Sequence, residues 1–255
     1  MTLTPPQLEQ YDRDGIVFPV RVLAPAEADS YRGALEMLTE NCGQGALKRL
    51  ECLHLFFGWA YRLATQPALL DAVESLLGDD ILIDGTLVFH KPPRDSSYVS
   101  WHQDSVYSGW NKTPSTSAWI ALTPSERSNG CMRAIPGSHQ QGLMAHGNVS
   151  DERNLLDRGE QVETVDESRA VDVVLQPGEL SFHQSNLVHG SNPNTSGVPR
   201  IGFIVRFVTS RITDRDRPLM RVRGRGDCSH LKLAQPPGEL DHGAAFLAWR
   251  TFSRL

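Results

Sequence analysis

The sequence predicts a mainly β protein with flanking helices, its core a barrel or a double-sheet jelly roll. Three observations lead there. In the first third of the 255 residues, apolar residues recur at helical spacing. From about Asp80 that spacing gives way to seven or eight short runs rich in β-branched and aromatic residues. Each run is bounded by Gly, Pro, Asn or Ser, the pattern of strands folded back on one another.

The helical part covers about residues 1–78. Thr4 followed by Pro5 and Pro6 reads as a cap and helix start, with Leu8 and Tyr11 three apart. Pro25 opens a second helix, where Tyr31, Ala34, Leu35 and Leu38 form an i, i+3, i+4, i+7 stripe. Helical spacing resumes from about His54 through LFFGWAYRLA, and again in PALLDAVESLL, Pro67 to Leu77, which stops at Gly78. The β core covers about residues 80–210. Its runs are ILIDGTLVFHK, SYVSWHQD, TSAWIAL, CMRAI, AVDVVL, GELSFH, NLVHG and RIGFIVRFV. Gly147 to Ser168 is polar and reads as a long insertion between strands. No repeat, low-complexity tract or linker divides the chain, so residues 1–255 read as one domain.

Composition narrows the partners. With 40% apolar and 22% charged residues the chain is of ordinary globular type. No apolar stretch approaches the ~18 residues of a membrane span, and the N-terminus lacks the basic start and apolar segment of a secretory leader. The expectation is a cytoplasmic protein, monomer or homodimer, with no membrane partner. A net charge of −5 argues against nucleic acid. Arg211 to Arg225 runs against that balance, with six arginines and two aspartates. It reads as a solvated surface or as a site for an anionic group of a substrate. Cys42, Cys52, Cys131 and Cys228 form no CxxC pair, so a zinc knuckle is not expected.

His102 and Asp104 are two apart on a segment that reads as a strand. Side chains at i and i+2 share a face, so imidazole and carboxylate converge while Gln103 points away. A third ligand must come from a distant strand. His189, at the end of NLV and before Gly190, is preferred; His183, six residues earlier, is its rival. Two histidines and one carboxylate leave vacant positions on a metal, the arrangement of non-haem iron(II) oxygenases. Arg200 lies eleven residues beyond His189, at the start of a strand, where a guanidinium can clamp a carboxylate with two hydrogen bonds. The corresponding position after His183 is Asn194. The same three ligands also suit zinc in a hydrolase or a cupin-like isomerase, or a non-catalytic sensor. His139 reads as structural. His54, His90, His146, His230 and His242 have no partner at a telling spacing.

Several blocks occur together: KPP (91–93), WHQD (101–104), AWIAL (118–122), SNGCM (128–132), IPGSH (135–139), HGSNPN (189–194) and PR (199–200). In this order and spacing, from about Lys91 to Phe207, the chain resembles the phytanoyl-CoA dioxygenase family of iron(II)/2-oxoglutarate oxygenases. The resemblance implies a double-stranded β-helix, a jelly-roll or cupin-like core. It implies metal ligands His102, Asp104 and His189, with 2-oxoglutarate and dioxygen as co-substrates. It sets Arg200 and Ser191 on the far carboxylate of 2-oxoglutarate and Trp119 against the co-substrate, although Trp119 reads equally as a core aromatic. Lys91 falls at the pocket rim or on the surface. The carboxylate at Asp104, where related halogenases carry a small residue, favours hydroxylation of a small metabolite. Tyr107 to Pro114, Gly142 to Ser168 and the Arg-rich segment are the candidate substrate-contacting loops, with Tyr107 and Trp110 lining the pocket or packing beneath it.

Overall fold

The computed structural model describes residues 2–40, 49–108, 113–156, 158–213, 217–238 and 242–253. Helix α1 (Pro5–Asp14) begins on proline, whose missing N–H costs nothing at that position, and the Thr4 backbone N–H donates to Gln7 Oε1 at 2.9 Å. It ends at Gly15, in the left-handed region with φ +74°, where a Cβ would lie 2.4 Å from the His139 ring. The stripe on α2 (Pro25–Glu40) buries Leu35 and Leu38. The expected helix after His54 is divided: Leu53–Leu55 form a 3-10 turn, and α3 (Gly58–Ala64) starts after Phe57, which is extended. Helix α4 (Pro67–Leu77) has the bounds read from its proline and glycine.

The strands are β1 (Ile16–Arg21), β2 (Arg49–Glu51), β3 (Ile81–Lys91), β4 (Val99–His102), β5 (Ser115–Ala121), β6 (Met132–Ala134), β7 (His146–Asn148), β8 (Glu160–Val162), β9 (Val171–Val173), β10 (Glu179–Gln184), β11 (His189–Ser191), β12 (Arg200–Val208) and β13 (Met220–Arg223). A seven-stranded sheet runs β1-β10-β5-β12-β3-β13, with β2 also paired to β3. A four-stranded sheet runs β4-β11-β6-β9, and β7 pairs with β8. All of the pairs are antiparallel. Helix α5 (Ser105–Ser108) follows β4, and α6 (His242–Phe252) lies near the C-terminus.

Period-2 alternation on the large sheet separates two cores. Ala118 and Ile120 on β5, and Ile201, Phe203, Val205 and Phe207 on β12, join the cluster that includes Leu35, Leu63 and Leu69 of the helices. Trp119 and Ala121, with Leu87 and Ile204, turn the other way and meet Met132, Ala134 and Val173 of the small sheet. Both faces of the large sheet are therefore covered, which is why its strands read as near-continuous apolar runs. This is the jelly-roll core the sequence predicts, and the site lies between its sheets.

Two strands, β1 and β2, fall inside the stretch read as helical. Both are peripheral: β1 is an edge strand carrying Pro19, and β2 is three residues long, so neither gives a clear alternating run. Beyond residue 210 the chain adds β13 and α6. Cys52, Cys131 and Cys228 are buried free thiols, and Cys42 lies outside the described residues. No helix among the described residues is long and apolar enough to cross a membrane.

Candidate active site

His102 ends β4 and His189 begins β11, and the two are direct cross-strand partners. Their rings are 4.1 Å apart between centroids. His102 Nδ1 lies 2.9 Å from Ser100 O, and His189 Nδ1 lies 3.0 Å from Leu187 O. A carbonyl has no proton to give, so Nδ1 donates in both rings and each Nε2 keeps its lone pair. Asp104 does not share the strand, as the alternation argument supposed. β4 stops at His102, and the turn into α5 brings the carboxylate round to the histidines, with His102 Nε2 3.9 Å from Asp104 Oδ1. Ligand atoms of His102, Asp104 and His189 all lie within 4.8 Å of one another, and all three residues are buried. Gln103 does point away. Its amide donates to Gly142 O and Asn186 O, and its carbonyl accepts from the Met144 N–H, which ties the turn to two loops.

The protonation pattern suits a cation. Burial lowers both histidines from the ordinary value, and for His189 the neighbouring His102 and His183 add to it. Burial works to raise the Asp104 carboxyl, but Arg206 and the bond from His183 outweigh it and hold the group well below the usual range. Two neutral imidazoles and one carboxylate form a donor set for a divalent transition metal with positions left open. Three side chains support Asp104: Ser117 Oγ donates to Oδ2 at 2.8 Å, His183 Nε2 is 3.4 Å from Oδ2, and Arg206 Nη2 donates to Oδ1 at 3.0 Å. His183, the rival ligand, is thus turned to the carboxylate and is not in the converging group.

The same pocket has a cationic end. Arg200 is buried at the start of β12; its Nε and Nη2 donate to Gly130 O at 3.1 and 2.8 Å, and Nη2 is 3.4 Å from Ser191 Oγ. Lys91, at the end of β3 and directly opposite Arg200, is 0% exposed, so it is on neither the rim nor the surface. Its ammonium donates to Ser191 Oγ at 2.6 Å and to Asn192 O. Burial, and then repulsion from Arg200, lowers Lys91 to about 6, and burial lowers Arg200 to about 10. These bonds reach neutral oxygens, so Arg200 keeps its charge for an anion, and Lys91, behind Ser191, adds a second charge when protonated. The Arg200 guanidinium lies 5.3 Å from the Trp119 ring centroid. Trp119 needs the glycine at 202: a Cβ there would be 2.1 Å from Trp119 Cζ2.

The mouth is formed by other elements: Glu51 of β2, Arg158 and Arg217 are its more exposed lining residues, while Leu87, Leu156 and Ile204 are buried along the wall. The insertion after β7 therefore contributes two wall residues. Among the described residues of the Arg-rich segment, Arg217 lines it. Arg223 pairs with Asp71 and Glu74 on the outer surface, Arg221 donates to Gly226 O, and residues 214–216 are outside the described residues. Trp110 and the Tyr107 side chain are also outside the described residues. His139 packs on Gly15 and bonds Asp12 O, in a structural role. The sequence reading missed Ser117 and Arg206. Arg206 was within reach, being six residues from Arg200 on one strand and so on the same face.

Comparison with known proteins gives the family. The profile of the family Phytanoyl-CoA dioxygenase (PhyH) matches residues 11–202. A probable alpha-ketoglutarate-dependent hypophosphite dioxygenase of Stutzerimonas stutzeri is 26% identical over 74% of this chain and 65% of its own length. An ectoine dioxygenase of Bordetella bronchiseptica is 23% identical over 78% of this chain and 73% of its own length. The chain thus spans between about two thirds and three quarters of these two relatives. The solved structure of the apo non-heme monooxygenase ThoJ superposes with a TM-score of 0.81 at 32% identity, covering 96% of this chain and 94% of that one. With the family profile matched over most of its length, this chain belongs to the phytanoyl-CoA dioxygenase family.

Proposed function

We propose that this protein is an iron(II)/2-oxoglutarate-dependent dioxygenase that hydroxylates an unactivated C–H bond of a small metabolite, with release of succinate and carbon dioxide. One observation carries the reading: a two-histidine, one-carboxylate centre shares its pocket with Arg200 and Ser191, and Lys91 stands behind Ser191. His102, Asp104 and His189 are the metal ligands. Bound iron supplies the redox chemistry that activates dioxygen and drives oxidative decarboxylation of the keto acid.

The chain's own residues bind, orient and exclude water. The carbonyls of Ser100 and Leu187 fix both imidazoles with Nε2 inward. Arg200 and Lys91 receive the far carboxylate of 2-oxoglutarate, with Ser191 between them, and Trp119 packs beside it. Leu87, Ile204 and Leu156 keep the reacting end apolar. The carboxylate at Asp104 occupies a ligand position, which favours hydroxylation over halogenation. The names of the two curated relatives refer to small molecules, hypophosphite and ectoine, which supports a small-molecule substrate here.

The test is succinate release by the iron-loaded protein across a metabolite library, measured against the hydroxylated product formed. A coupled substrate gives equal amounts of the two, and Asp104→Ala and His189→Ala reduce turnover by at least ~10³-fold. Normal turnover by either variant, or tight zinc with no 2-oxoglutarate affinity, would sink the reading.

A further inference from the structure

Asp104 comes from a turn, and a side chain on a turn is not aimed by strand geometry. Something else must decide its rotamer and which of its two oxygens faces the histidines. The large sheet supplies that support in an ordered way. His183 on β10 is the direct cross-strand partner of Ser117 on β5, and Ser117 is the direct partner of Arg206 on β12. The three residues stand side by side in one lateral row across neighbouring strands. All three side chains point to the same face, and all three reach one carboxylate on the opposite side of the pocket.

They do not share that carboxylate evenly. Ser117 and His183 both take Oδ2, while Oδ1 lies towards His102 and is bonded by Arg206. We propose that Ser117 and His183 are positioning residues that fix the rotamer of Asp104, anchoring Oδ2 to the sheet and presenting Oδ1 to the metal, while Arg206 holds Oδ1 until the metal arrives. This rests on the assignment of Asp104 as a ligand. Within the row the roles differ in sign. Ser117 and His183 hold Oδ2, the oxygen turned away from His102, so their contacts persist when Oδ1 takes a cation. Arg206 is itself a cation on Oδ1, so it balances the buried carboxylate before loading and competes with the metal for that oxygen. His183 Nδ1 has no hydrogen-bond partner among the described residues, so its polar contact there is the one made by Nε2.

The test is equilibrium titration of the metal-free full chain with cobalt(II) under argon, read by the visible absorption of the bound ion. Ser117→Ala and His183→Leu are expected to weaken cobalt by about ten- to a hundredfold, the usual range for groups behind a ligand. His183→Gln, whose amide can donate to Oδ2, restores most of the loss, and Arg206→Gln binds cobalt at least as tightly as wild type. The band positions stay fixed throughout, because the ligands are unchanged. Ser181→Ala is the control: it is on β10 and on the same face as His183 but opposite Trp119, one row along, and it leaves the affinity unaltered. Each variant is checked for wild-type thermal unfolding first. Folded Ser117→Ala and His183→Leu proteins that bind cobalt within twofold of wild type overturn the proposal. A shifted band in His183→Leu also overturns it, by making His183 a ligand. Wild-type protein that takes up no cobalt defeats the metal assignment itself, a result readily told from the other two.

Discussion

At the scale of single residues, Lys91 offers the sharpest chemistry. An ammonium with a value of about 6 is largely neutral at pH 7.5, yet a carboxylate beside it requires the charged form. Its electrostatic neighbours are Arg200, Asp95 and Cys131. Arg200, at about 10, and the Cys131 thiol, pushed up to about 11 mainly by burial, do not change charge between pH 6 and 8. Binding of 2-oxoglutarate in that window therefore takes up a proton at Lys91. The sign follows: affinity is highest at and below pH 6 and falls as pH rises, by up to about tenfold per unit until the raised value in the complex is passed. Anaerobic calorimetry from pH 6 to 8 in buffers of differing ionisation enthalpy measures both slope and proton. Lys91→Met is expected to flatten the slope. A wild-type Kd that does not vary with pH would refute this role.

At the scale of the element, β12 brings both ends of the pocket under one alternation. Arg200, Gly202, Ile204 and Arg206 face inward, and Ile201, Phe203, Val205 and Phe207 face the helices. Gly202 is the weak point of that strand, because the Trp119 ring occupies the space of a side chain. Gly202→Ala should displace the indole and loosen Arg200 above it. An overpacking cost of about 1–3 kcal/mol is expected in urea unfolding, with about tenfold weaker 2-oxoglutarate binding and altered tryptophan fluorescence. Unchanged affinity would mean that the indole does not set the position of Arg200. Much of β12 was legible in the sequence, since a nine-residue run with arginines at even spacing declares its register. The bounds of β3 and α4 were equally plain, the first from composition and the second from Pro67 and Gly78. Asp104 was read as a strand residue because HxD satisfies a period of two even where the strand has already ended. Ser117 carries no such mark. Its role arises from which strands become neighbours, and local spacing holds no record of that.

At the scale of the whole molecule, the C-terminal helix braces the pocket from behind. Trp249 of α6 is buried against Phe57, and its indole N–H donates to Glu51 O at 2.8 Å. Glu51 pairs with Leu87 across β2 and β3, and both line the pocket. Trp249→Ala should cost about 3–5 kcal/mol in chemical denaturation, as expected for a buried tryptophan. It should raise KM for the oxidised substrate more than the Kd for 2-oxoglutarate, because β2 borders the mouth and Arg200 the far end. Equal effects on both would place the brace elsewhere. The cross-strand pairing of His102 with His189 also bears on how the molecule is made. Its ligands are separated by most of the β core, and the row behind Asp104 belongs to a different sheet from the histidines. No short contiguous fragment carries the chelate, so an ion cannot template folding from a local loop as it does in a zinc finger. Contacts this distant in sequence form slowly and together. Metal capture thus waits on the pairing of β4 with β11, and a polypeptide released short of β11 would lack His189 and could not complete the chelate.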